Sequence, residues 1–580
     1  MADDTVDAPT EESPSAHSWR PADWLGVLVF GAAALCAVLW LLDLGRGLTF
    51  FLDEWDFIEY TGNPGYWHTV LQPHNGHPSM VPFSLYDLLL HTVGLRHYWP
   101  YQLILVLLSV GCGWLLFWLL RRKVHPLVAA AAAAVLMLLG PAWQDLLWPF
   151  QFGFLGSVAS GLGALILLDR RTRRADVGAC ICLVVSIGCS GVGLPFLAGI
   201  LVELAWRRQD WRRAWIPAIP FALFLAWYEA IGKSGSSPSV SPSFVVRSIG
   251  SDTATTVGAL VGRGSTAGSV LTAVLALAIV VAVVRSPARA ARLAMAVSGL
   301  LAFWILTLLA RGASQGSASR YLYPAAVLVF LAVGELPNLI TRRHRGRHAV
   351  VTPAWTKRLG TTVAVAIVAY VPLAVWWNAA VLNEASGGLG SVTNQVRAEL
   401  SAVILAGRAL PASFHPDTAF LPPVTVGGYR QAIAAFGSPA PSQVEDVDLE
   451  GGFVDAMLLR GRPLQVTPVR DPVGILTVGK GCKQYPIGPT NPSAVFTLPQ
   501  RGSIVTAPLD ARVQVRVKSF SPTFPEKPLF TMAANETAVL RWSRVTTPIR
   551  WEVEVSAVST PAPAGAVVTV CPNDVKTTRR

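Results

Sequence analysis

The sequence predicts a polytopic α-helical membrane protein that carries a C-terminal β-rich domain. Mean hydropathy is +0.46, and of the 580 residues 52% are hydrophobic and only 14% are charged. A soluble chain of this length does not need so many apolar residues to fill its core. From about residue 470 the pattern changes to short β-rich runs separated by Pro and Gly. A membrane part and a β-rich part are therefore expected to follow one another along the chain.

The net charge of +12 comes from basic residues whose positions indicate the membrane topology. Many of the basic residues lie in short segments between apolar runs, as expected for cytoplasmic loops under the positive-inside rule. The charge therefore indicates membrane topology and not a nucleic-acid partner. The five clusters lie within 121–123, 170–174, 207–213, 285–292 and 342–358.

With these clusters inside, the apolar runs form a consistent path of spans of about 17–25 residues. The N-terminus is then cytoplasmic, and the last span delivers the C-terminal part to the outside of the plasma membrane. The eleven predicted spans are 24–45, 99–120, 125–141, 152–168, 176–189, 190–206, 214–230, 268–285, 293–310, 321–340 and 359–377.

Two apolar stretches need separate treatment. About 30 residues lie between the basic loops that flank 176–206, so this stretch must go out and return. It is expected to do so as two short helices or as a re-entrant hairpin broken near Ser190-Gly191. A span at 80–95 would place cluster 121–123 outside, so an amphipathic helix lying on the membrane is predicted there.

This path divides the chain into three parts. Residues 1–20 are acidic and contain Pro and Ser, which predicts a disordered cytoplasmic tail and not a signal peptide. Residues 21–377 form the transmembrane domain, with a long first outer loop at 46–98. Residues 378–580 form the extracytoplasmic domain.

The extracytoplasmic part begins with a helical pattern at 391–409 and continues as strands, which predicts a β-sandwich of the jelly-roll sort. Only Cys482 and Cys571 lie in this domain, and the other five cysteines lie in predicted spans. Two cysteines near the ends of one module outside the cytoplasm predict a disulfide. The predicted strands are 475–478, 511–517, 549–555 and 566–570.

The first outer loop contains the strongest candidate for an active site. Asp53, Glu54 and Asp56 follow the first span and are interleaved with Phe and Trp. Acids placed at a membrane interface are costly, which favours a function for them. The loop is also longer than a connector requires. The alternative is that the acids merely cap a helix end and keep it solvated.

The same loop continues with Pro73-His74-Asn75-Gly76-His77-Pro78. The two histidines could be metal ligands, but a lone His-x-x-His pattern is weak support for a metal site. Binding of polar substrate groups or capping of the next helix is the preferred interpretation.

Two further outer segments contribute candidate substrate-binding residues. Gln144 and Asp145 lie between tryptophans in the loop at 142–151. Arg311 and Arg320, followed by Tyr321, lie outside against the positive-inside trend. Guanidinium groups at this level suit a lipid-linked phosphate, which they can bind bidentately. Lipid head-group contact without catalysis is the alternative.

Together these features resemble the GT-C superfamily of polyprenyl-phosphate-sugar-dependent glycosyltransferases. The features are the acidic pair Asp53-Glu54 after the first span, the long outer loop with a surface helix, about eleven spans, the late Arg311…Arg320-Tyr321 segment and the outer β domain. The β-rich tail resembles modules appended to some actinobacterial members. The resemblance implies a sugar donor carried on a lipid phosphate, with Asp53 or Glu54 as the catalytic carboxylate. The chain lacks a Trp-Trp-Asp-type motif, which argues against protein N-glycosylation.

The chemistry agrees with this resemblance. A carboxylate near Asp53 would accept the proton of an acceptor hydroxyl as that oxygen attacks the anomeric carbon, with inversion. Arg311 and Arg320 would stabilise the departing phosphate. The acceptor would be a cell-envelope glycan, lipid or protein. No cofactor is certain, although the acids could hold Mg²⁺, Mn²⁺ or Ca²⁺. No Gly-rich phosphate loop is present, which disfavours a nucleotide-sugar donor.

A transporter or flippase for a lipid-linked glycan is the alternative function. It would use the same face and the same arginines. Transporters place functional charge near the bilayer midplane in broken helices, whereas these acids are expected at an outer surface. An adhesin anchored in the membrane would not need so many spans.

Overall fold

The computed structural model describes residues 21–61, 65–232, 241–311, 318–341, 354–440, 447–461, 464–469, 481–499, 501–542, 550–558 and 563–573. The predicted tail 1–20, the predicted strand 475–478 and the basic residues at 342–347 lie outside these ranges. The chain forms two compact units. The helical unit comprises residues up to 46, 67–85 and 99–387, and the mixed unit comprises 47–66, 86–98 and residues from 388 onward.

Helices account for most of the chain up to residue 461. Several of them begin at a capping residue or a proline, which are common at helix starts. In chain order they are α1 (Pro21–Leu44), α2 (Glu54–Thr61), α3 (Tyr66–Leu71), α4 (Met80–Thr92), α5 (Trp99–Leu120), α6 (Pro126–Met137), α7 (Trp143–Leu147), α8 (Phe152–Leu168), α9 (Arg173–Cys189), α10 (Gly193–Trp206), α11 (Trp215–Trp227), α12 (Pro242–Leu260), α13 (Ser265–Arg285), α14 (Ala291–Arg311), α15 (Ser319–Thr341), α16 (Ala354–Ala406), α17 (Val426–Phe436) and α18 (Val447–Gly461).

The predicted class of multi-span helical protein is confirmed. Among the described residues, eight helices are long and apolar enough to cross a membrane, and a ninth span results if α6 and the segment Gly140–Leu147 count as one. These two pieces meet at a bend of 46°, where a single straight span was predicted at 125–141. The eight are Pro21–Leu44, Trp99–Leu120, Pro149–Leu168, Trp215–Gly232, Ser265–Arg285, Ala291–Arg311, Ser319–Ile340 and Val365–Ala406.

Helices α9 and α10 correspond to the pair that was predicted to be short. They have 17 and 14 residues and are separated by residues 190–192, which agrees with the predicted break near Ser190-Gly191. Both are shorter than the about 20 residues that a crossing helix needs. The predicted total of eleven spans therefore exceeds the eight or nine that the described helices provide.

Two other helices differ from the prediction. Helix α12 was not predicted, because its Ser, Thr and Asp residues interrupt the apolar pattern. Helix α16 is continuous over 53 residues, where the sequence predicted a span at 359–377 and a separate helix at 391–409. Its Gly387, Gly388 and Gly390 lower helix propensity without ending the helix.

Small residues allow helices of the helical unit to approach closely. A Cβ atom at Gly199 of α10 would lie 2.7 Å from the carbonyl oxygen of Met295 in α14. Ser157 of α8 and Ser186 of α9 each donate a hydrogen bond to the carbonyl oxygen of the other residue, both at 2.8 Å. Such contacts are typical of helix packing in membranes, where polar bonds and small residues replace a hydrophobic driving force.

The C-terminal β-sheet domain is confirmed, and it begins at residue 464, slightly before the predicted start near 470. Its strands form two antiparallel sheets with the orders β1-β7-β4-β9-β2 and β3-β8-β5-β6. The strands are β1 (Leu464–Pro468), β2 (Lys483–Ile487), β3 (Ser493–Leu498), β4 (Ser503–Thr506), β5 (Val513–Lys518), β6 (Phe530–Met532), β7 (Thr537–Trp542), β8 (Trp551–Ala557) and β9 (Ala566–Pro572).

Alternation along the strands buries one face of the four-stranded sheet. In β5, Val513, Val515 and Val517 are buried while the residues between them are half-buried. Val515 pairs with Val555 of β8, so buried side chains adjoin across the strands. This period of two is the pattern expected of a sheet with one covered face, as in a β-sandwich.

A disulfide joins Cys482 and Cys571, which are 89 residues apart in the sequence. Cys482 directly precedes β2 and Cys571 lies in β9, the strand that pairs with β2. The bond therefore fastens one edge of the five-stranded sheet. The other five cysteines are free thiols.

Replacing both Cys482 and Cys571 with Ala is expected to destabilise the β domain by about 2–4 kcal/mol, because the unfolded chain regains the entropy of a long open loop. The measurement is chemical unfolding of the full-length protein, followed by fluorescence of the β-domain tryptophans. Cys36→Ala, which removes an exposed free thiol, is the matched control. An unchanged unfolding midpoint in the double variant would show that the bond contributes nothing.

Candidate active site

The acidic segment of the first loop belongs to the mixed unit, together with residues 388–440. The N–H of Leu52 donates to the carbonyl oxygen of Phe420 at 2.8 Å, and the Arg397 guanidinium donates to that of Leu48 at 3.1 Å. The Trp55 ring contacts the Tyr429 ring edge-on at 5.6 Å. The C-terminal third of the chain therefore positions the acids, which the sequence did not predict.

The backbone turns sharply just before Asp53. Leu52 has a φ of +51°, a left-handed conformation that is unfavourable for a residue with a branched side chain. Its hydrogen bond to Phe420 holds it there. Strained backbone of this kind is often found at functional sites. The turn places Asp53 immediately before α2, with Glu54 as the first helical residue.

Glu54 is buried and occupied by hydrogen bonds. Its carboxylate accepts from the hydroxyl of Tyr86 at 2.7 Å, from that of Tyr98 at 3.1 Å and from the N–H of Phe51 at 3.1 Å. Its side chain is 0% exposed. These bonds suit a residue that fixes the loop. Asp53 is half-buried and not fully buried, so it is the better candidate for proton transfer with a substrate.

Asp53 and Asp56 are half-buried and close together, with carboxylate oxygens within 4.8 Å of one another. Burial, followed by the neighbouring charge of Asp53, raises the pKa of Asp56 to about 6. A divalent cation would relieve this repulsion, and carboxylate oxygens are ligands that Mg²⁺, Mn²⁺ and Ca²⁺ accept. The pair therefore fits such an ion.

Glu59, one turn further along α2, was not singled out from the sequence. Burial raises its pKa to about 7, a backbone hydrogen bond from Thr425 opposes the rise, and the charge of Asp56 adds to it. Thr425 caps α17, so Glu59 lies at the N-terminus of that helix, where a negative charge is favoured. This residue links the acidic helix to the C-terminal segment.

The two predicted histidines flank a tight turn in the helical unit. His74 and His77 exchange both backbone hydrogen bonds, at 3.0 and 2.9 Å. Asn75 and Gly76 between them have φ values of +51° and +76°. An Asn-Gly pair with positive φ at both positions is typical of a type I′ turn. The turn is thus encoded locally, and it places the two imidazoles at a fixed spacing.

Arg311, at the end of α14, holds this turn. Its guanidinium donates to the carbonyl oxygen of Asn75 at 2.8 Å and to Nε2 of His77 at 3.1 Å. Burial first, and then the charges of Arg311, His74 and Arg320, lower the pKa of His77 to about 4. His77 is therefore neutral at physiological pH and can accept the arginine's hydrogen bond.

Gln144, Asp145 and Arg320 also meet in the helical unit. The N–H of Arg320 donates to Oε1 of Gln144 at 3.1 Å, and its guanidinium lies 5.2 Å from the ring of Tyr321. Asp145 is fully buried, and neither of its carboxylate oxygens has a hydrogen-bond partner among the described residues. Arg320 also lies close enough to Asp145 for their opposite charges to attract each other.

An apolar groove of about 350 Å³ lies between helices of the helical unit, and polar groups line part of it. Its walls come from α8, α10, α11 and α14, which are far apart in the sequence. The polar part of the lining includes His77, Arg311 and Tyr321. The sequence identified these three residues but not the groove, because no local pattern joins four separate helices. The apolar walls include Phe154, Leu194, Phe224, Leu225, Leu306 and Leu309.

The predicted site residues therefore form two groups. Asp53, Glu54 and Asp56 lie in the mixed unit, whereas the turn residues, Gln144, Asp145, Arg311, Arg320 and Tyr321 lie in the helical unit. The sequence missed Tyr86 and Tyr98, which hold Glu54, and it counted Glu59 among the acids of the loop without assigning it to the site. The proximity of Glu59 to the first acids was the one available signal for it.

Comparisons with known proteins show a resemblance to solved structures. No family model matches the chain, and no curated protein matches it. Among solved structures, the chain is similar to the crystal structure of ArnT from Cupriavidus metallidurans bound to undecaprenyl phosphate. The two are 15% identical with a TM-score of 0.44, over 80% of this chain and 96% of that chain. These values assign no family.

Proposed function

We propose that this protein is a membrane glycosyltransferase that takes its sugar from a polyprenyl-phosphate donor. The observation that carries the proposal is the apolar groove whose lining includes Arg311 and His77. A polyprenyl phosphate has the matching chemistry, since a long apolar chain ends in an anionic group. Leu225, Leu306 and Leu309 in the groove wall are exposed, so a lipid chain could contact them from the bilayer.

The phosphate would bind at the polar part of the groove lining, beside Arg311 and His77. Arg311 already donates to the His74–His77 turn, and its Nε has no hydrogen-bond partner among the described residues. An arginine with a free donor is well suited to a phosphate oxygen. Arg320 adds a second positive charge, whose effect reaches His77. Both charges would stabilise the phosphate as it leaves the sugar.

Transfer needs a base for the acceptor hydroxyl, and we assign this role to Asp53. Its carboxylate accepts the hydroxyl proton while the acceptor oxygen forms a bond to the anomeric carbon. The bond from that carbon to the phosphate oxygen breaks, and the lipid phosphate keeps the electron pair. Attack opposite the leaving group inverts the anomeric configuration. A divalent cation at Asp53 and Asp56 would add positive charge there.

The proposal includes a location and a class of acceptor. The basic loops would be cytoplasmic. The acids of the first outer loop, the polar part of the groove lining and the β domain would face the outside of the plasma membrane. The acceptor would then be a glycan, lipid or protein of the cell envelope.

Filling the groove tests the proposal. Leu306→Trp places a larger side chain in the groove wall, and the amount of polyprenyl phosphate bound to the purified protein is expected to fall about tenfold or more, because the lipid chain loses apolar contact. Leu301→Trp, on the same helix α14 but outside the groove, is the matched control. Native mass spectrometry counts the bound lipid. Equal binding by the two variants would contradict donor binding in the groove.

A flippase for a lipid-linked glycan is supported by one observation. The break between α9 and α10 contributes Gly191 and Val192 to the groove, and broken helices are common at transporter sites. The two functions separate in detergent solution, where no membrane exists to flip across. Release of free polyprenyl phosphate from a glycosylated donor, with sugar appearing on an acceptor, requires an enzyme.

A further inference from the structure

One end of the helical unit carries arginines that the proposed reaction does not use. They lie in two segments, 169–174 after α8 and 206–213 before α11. Residues Pro149–Leu168 and Trp215–Gly232 are both membrane-length helices, so each segment lies directly at the end of a span. We call these two segments the arginine end.

All the acids between residues 169 and 213 are taken up by ion pairs within the helical unit. Asp176 accepts from Arg213 at 3.1 and 2.5 Å. Asp210 accepts from Arg171 at 3.2 and 2.7 Å. These bidentate pairs fix the segments to one another, because each joins residues more than 30 positions apart.

Glu203 and Asp169 are neutralised in the same way. Glu203 pairs with Arg207 at 3.0 Å and with Arg292 at 2.9 Å, and Arg292 also bonds to Asp169. Arg292 is almost completely buried, as is Glu203, so this network belongs to the interior. Within the described residues 169–213, no negative charge is therefore left free to neutralise the surface of the arginine end.

The remaining arginines are exposed and have no ion-pair partner among the described residues. Two exposed tryptophans lie among them. Trp206 is 42% exposed and its indole N–H donates to the carbonyl oxygen of Pro287 at 2.7 Å, which fixes the ring, while Trp211 is 56% exposed. The exposed arginines are Arg170, Arg173, Arg174, Arg208 and Arg212.

We propose that the arginine end binds the head groups of anionic phospholipids. The arginines lie at the ends of membrane-length helices, at the level where lipid phosphates lie. Guanidinium groups bind phosphate oxygens bidentately, and tryptophans favour the membrane interface. The buried ion pairs hold the segments in place, so little ordering is needed on binding. This inference does not depend on the proposed transferase activity.

Lipid is favoured over a protein or nucleic-acid partner by position. The exposed charges and the two indoles occur together where helices end, which matches a bilayer surface that is apolar below and anionic above. Exposed tryptophans would contribute little to the binding of a soluble acidic partner, whereas they favour contact with a membrane interface.

The test compares two charge-matched variants of the full-length protein. Arg208→Gln/Arg212→Gln removes two charges from the arginine end, and Arg512→Gln/Arg541→Gln removes two exposed charges from the β domain. Phosphatidylglycerol or phosphatidylcholine is titrated into the detergent-solubilised protein. Native mass spectrometry counts bound lipid, and thermal unfolding reports the stabilisation that it provides.

The wild type and the β-domain variant are expected to bind phosphatidylglycerol in preference to phosphatidylcholine. The Arg208/Arg212 variant should bind phosphatidylglycerol at least about tenfold more weakly than the wild type. The reason is that each arginine near an anionic surface contributes to the free energy of binding. Binding by the wild type should weaken in high salt. The proposal is overturned if both variants bind phosphatidylglycerol equally, or if the wild type does not distinguish the two lipids.

Discussion

Asp53→Asn is expected to lower the rate of sugar transfer about 10²–10⁴-fold. The amide keeps the size of the side chain but cannot accept the hydroxyl proton. Asp53 is half-buried, and the backbone bond from Leu52 to Phe420 that shapes the loop does not involve its side chain. The measurement is the transfer rate at saturating donor, together with the thermal unfolding midpoint.

Two control variants give this prediction its meaning. Asp43→Asn removes an exposed acid near the end of α1 and should have no effect. Glu54→Gln should act mainly on stability, because two tyrosine hydroxyls and a backbone N–H lose their charged acceptor, at a cost of about 1–3 kcal/mol. If Asp53→Asn transfers sugar at the wild-type rate, the assignment of the base is wrong and the flippase function becomes the better explanation.

Arg311→Ala is expected to weaken binding of polyprenyl phosphate about 10–100-fold, which corresponds to the loss of a hydrogen bond to a charged group of about 1.5–3 kcal/mol. The variant also loses the bonds to Asn75 and His77, so the turn is expected to loosen. Arg311→Lys separates the loss of charge from the loss of hydrogen bonds. Lysine keeps the positive charge, but it lacks the planar guanidinium that can donate to the turn and to the phosphate at the same time.

The measurement is the dissociation constant of polyprenyl phosphate for the purified protein. Arg247→Ala, which removes an exposed arginine of α12 that does not line the groove, is the matched control. The lysine variant should bind with intermediate affinity. If Arg311→Ala binds polyprenyl phosphate with wild-type affinity, then Arg311 does not bind the phosphate and the proposed phosphate site is wrong.

The sequence predicted best where one local property decides the structure. Helices α1 and α5 lie close to their predicted ranges, because a long apolar run needs no partner to be recognised. The turn at Asn75-Gly76 was not predicted, although it has a local signature of its own, since the pair tolerates positive φ. Helix α12 was missed for the opposite reason, because its polar residues become buried only against other helices.

The roles within the candidate site could not be predicted in the same way. Asp53 and Glu54 are adjacent and chemically alike, and the structure separates them through Tyr98, which lies 44 residues away from Glu54. The groove likewise depends on four helices whose order of packing no single segment specifies. Local patterns identified the polar residues, whereas their partners depend on long-range contacts.

The bond between Leu52 and Phe420 has a consequence for biogenesis. The acidic loop emerges from the ribosome early, yet the residue that holds Leu52 in its left-handed conformation is made much later. Without that partner the turn relaxes to an ordinary backbone conformation. It follows that a nascent or truncated chain ending before Phe420 lacks the contact that orders the acidic loop, even where its earlier membrane helices are complete. The proposed base would then be held in place only once the chain is nearly finished.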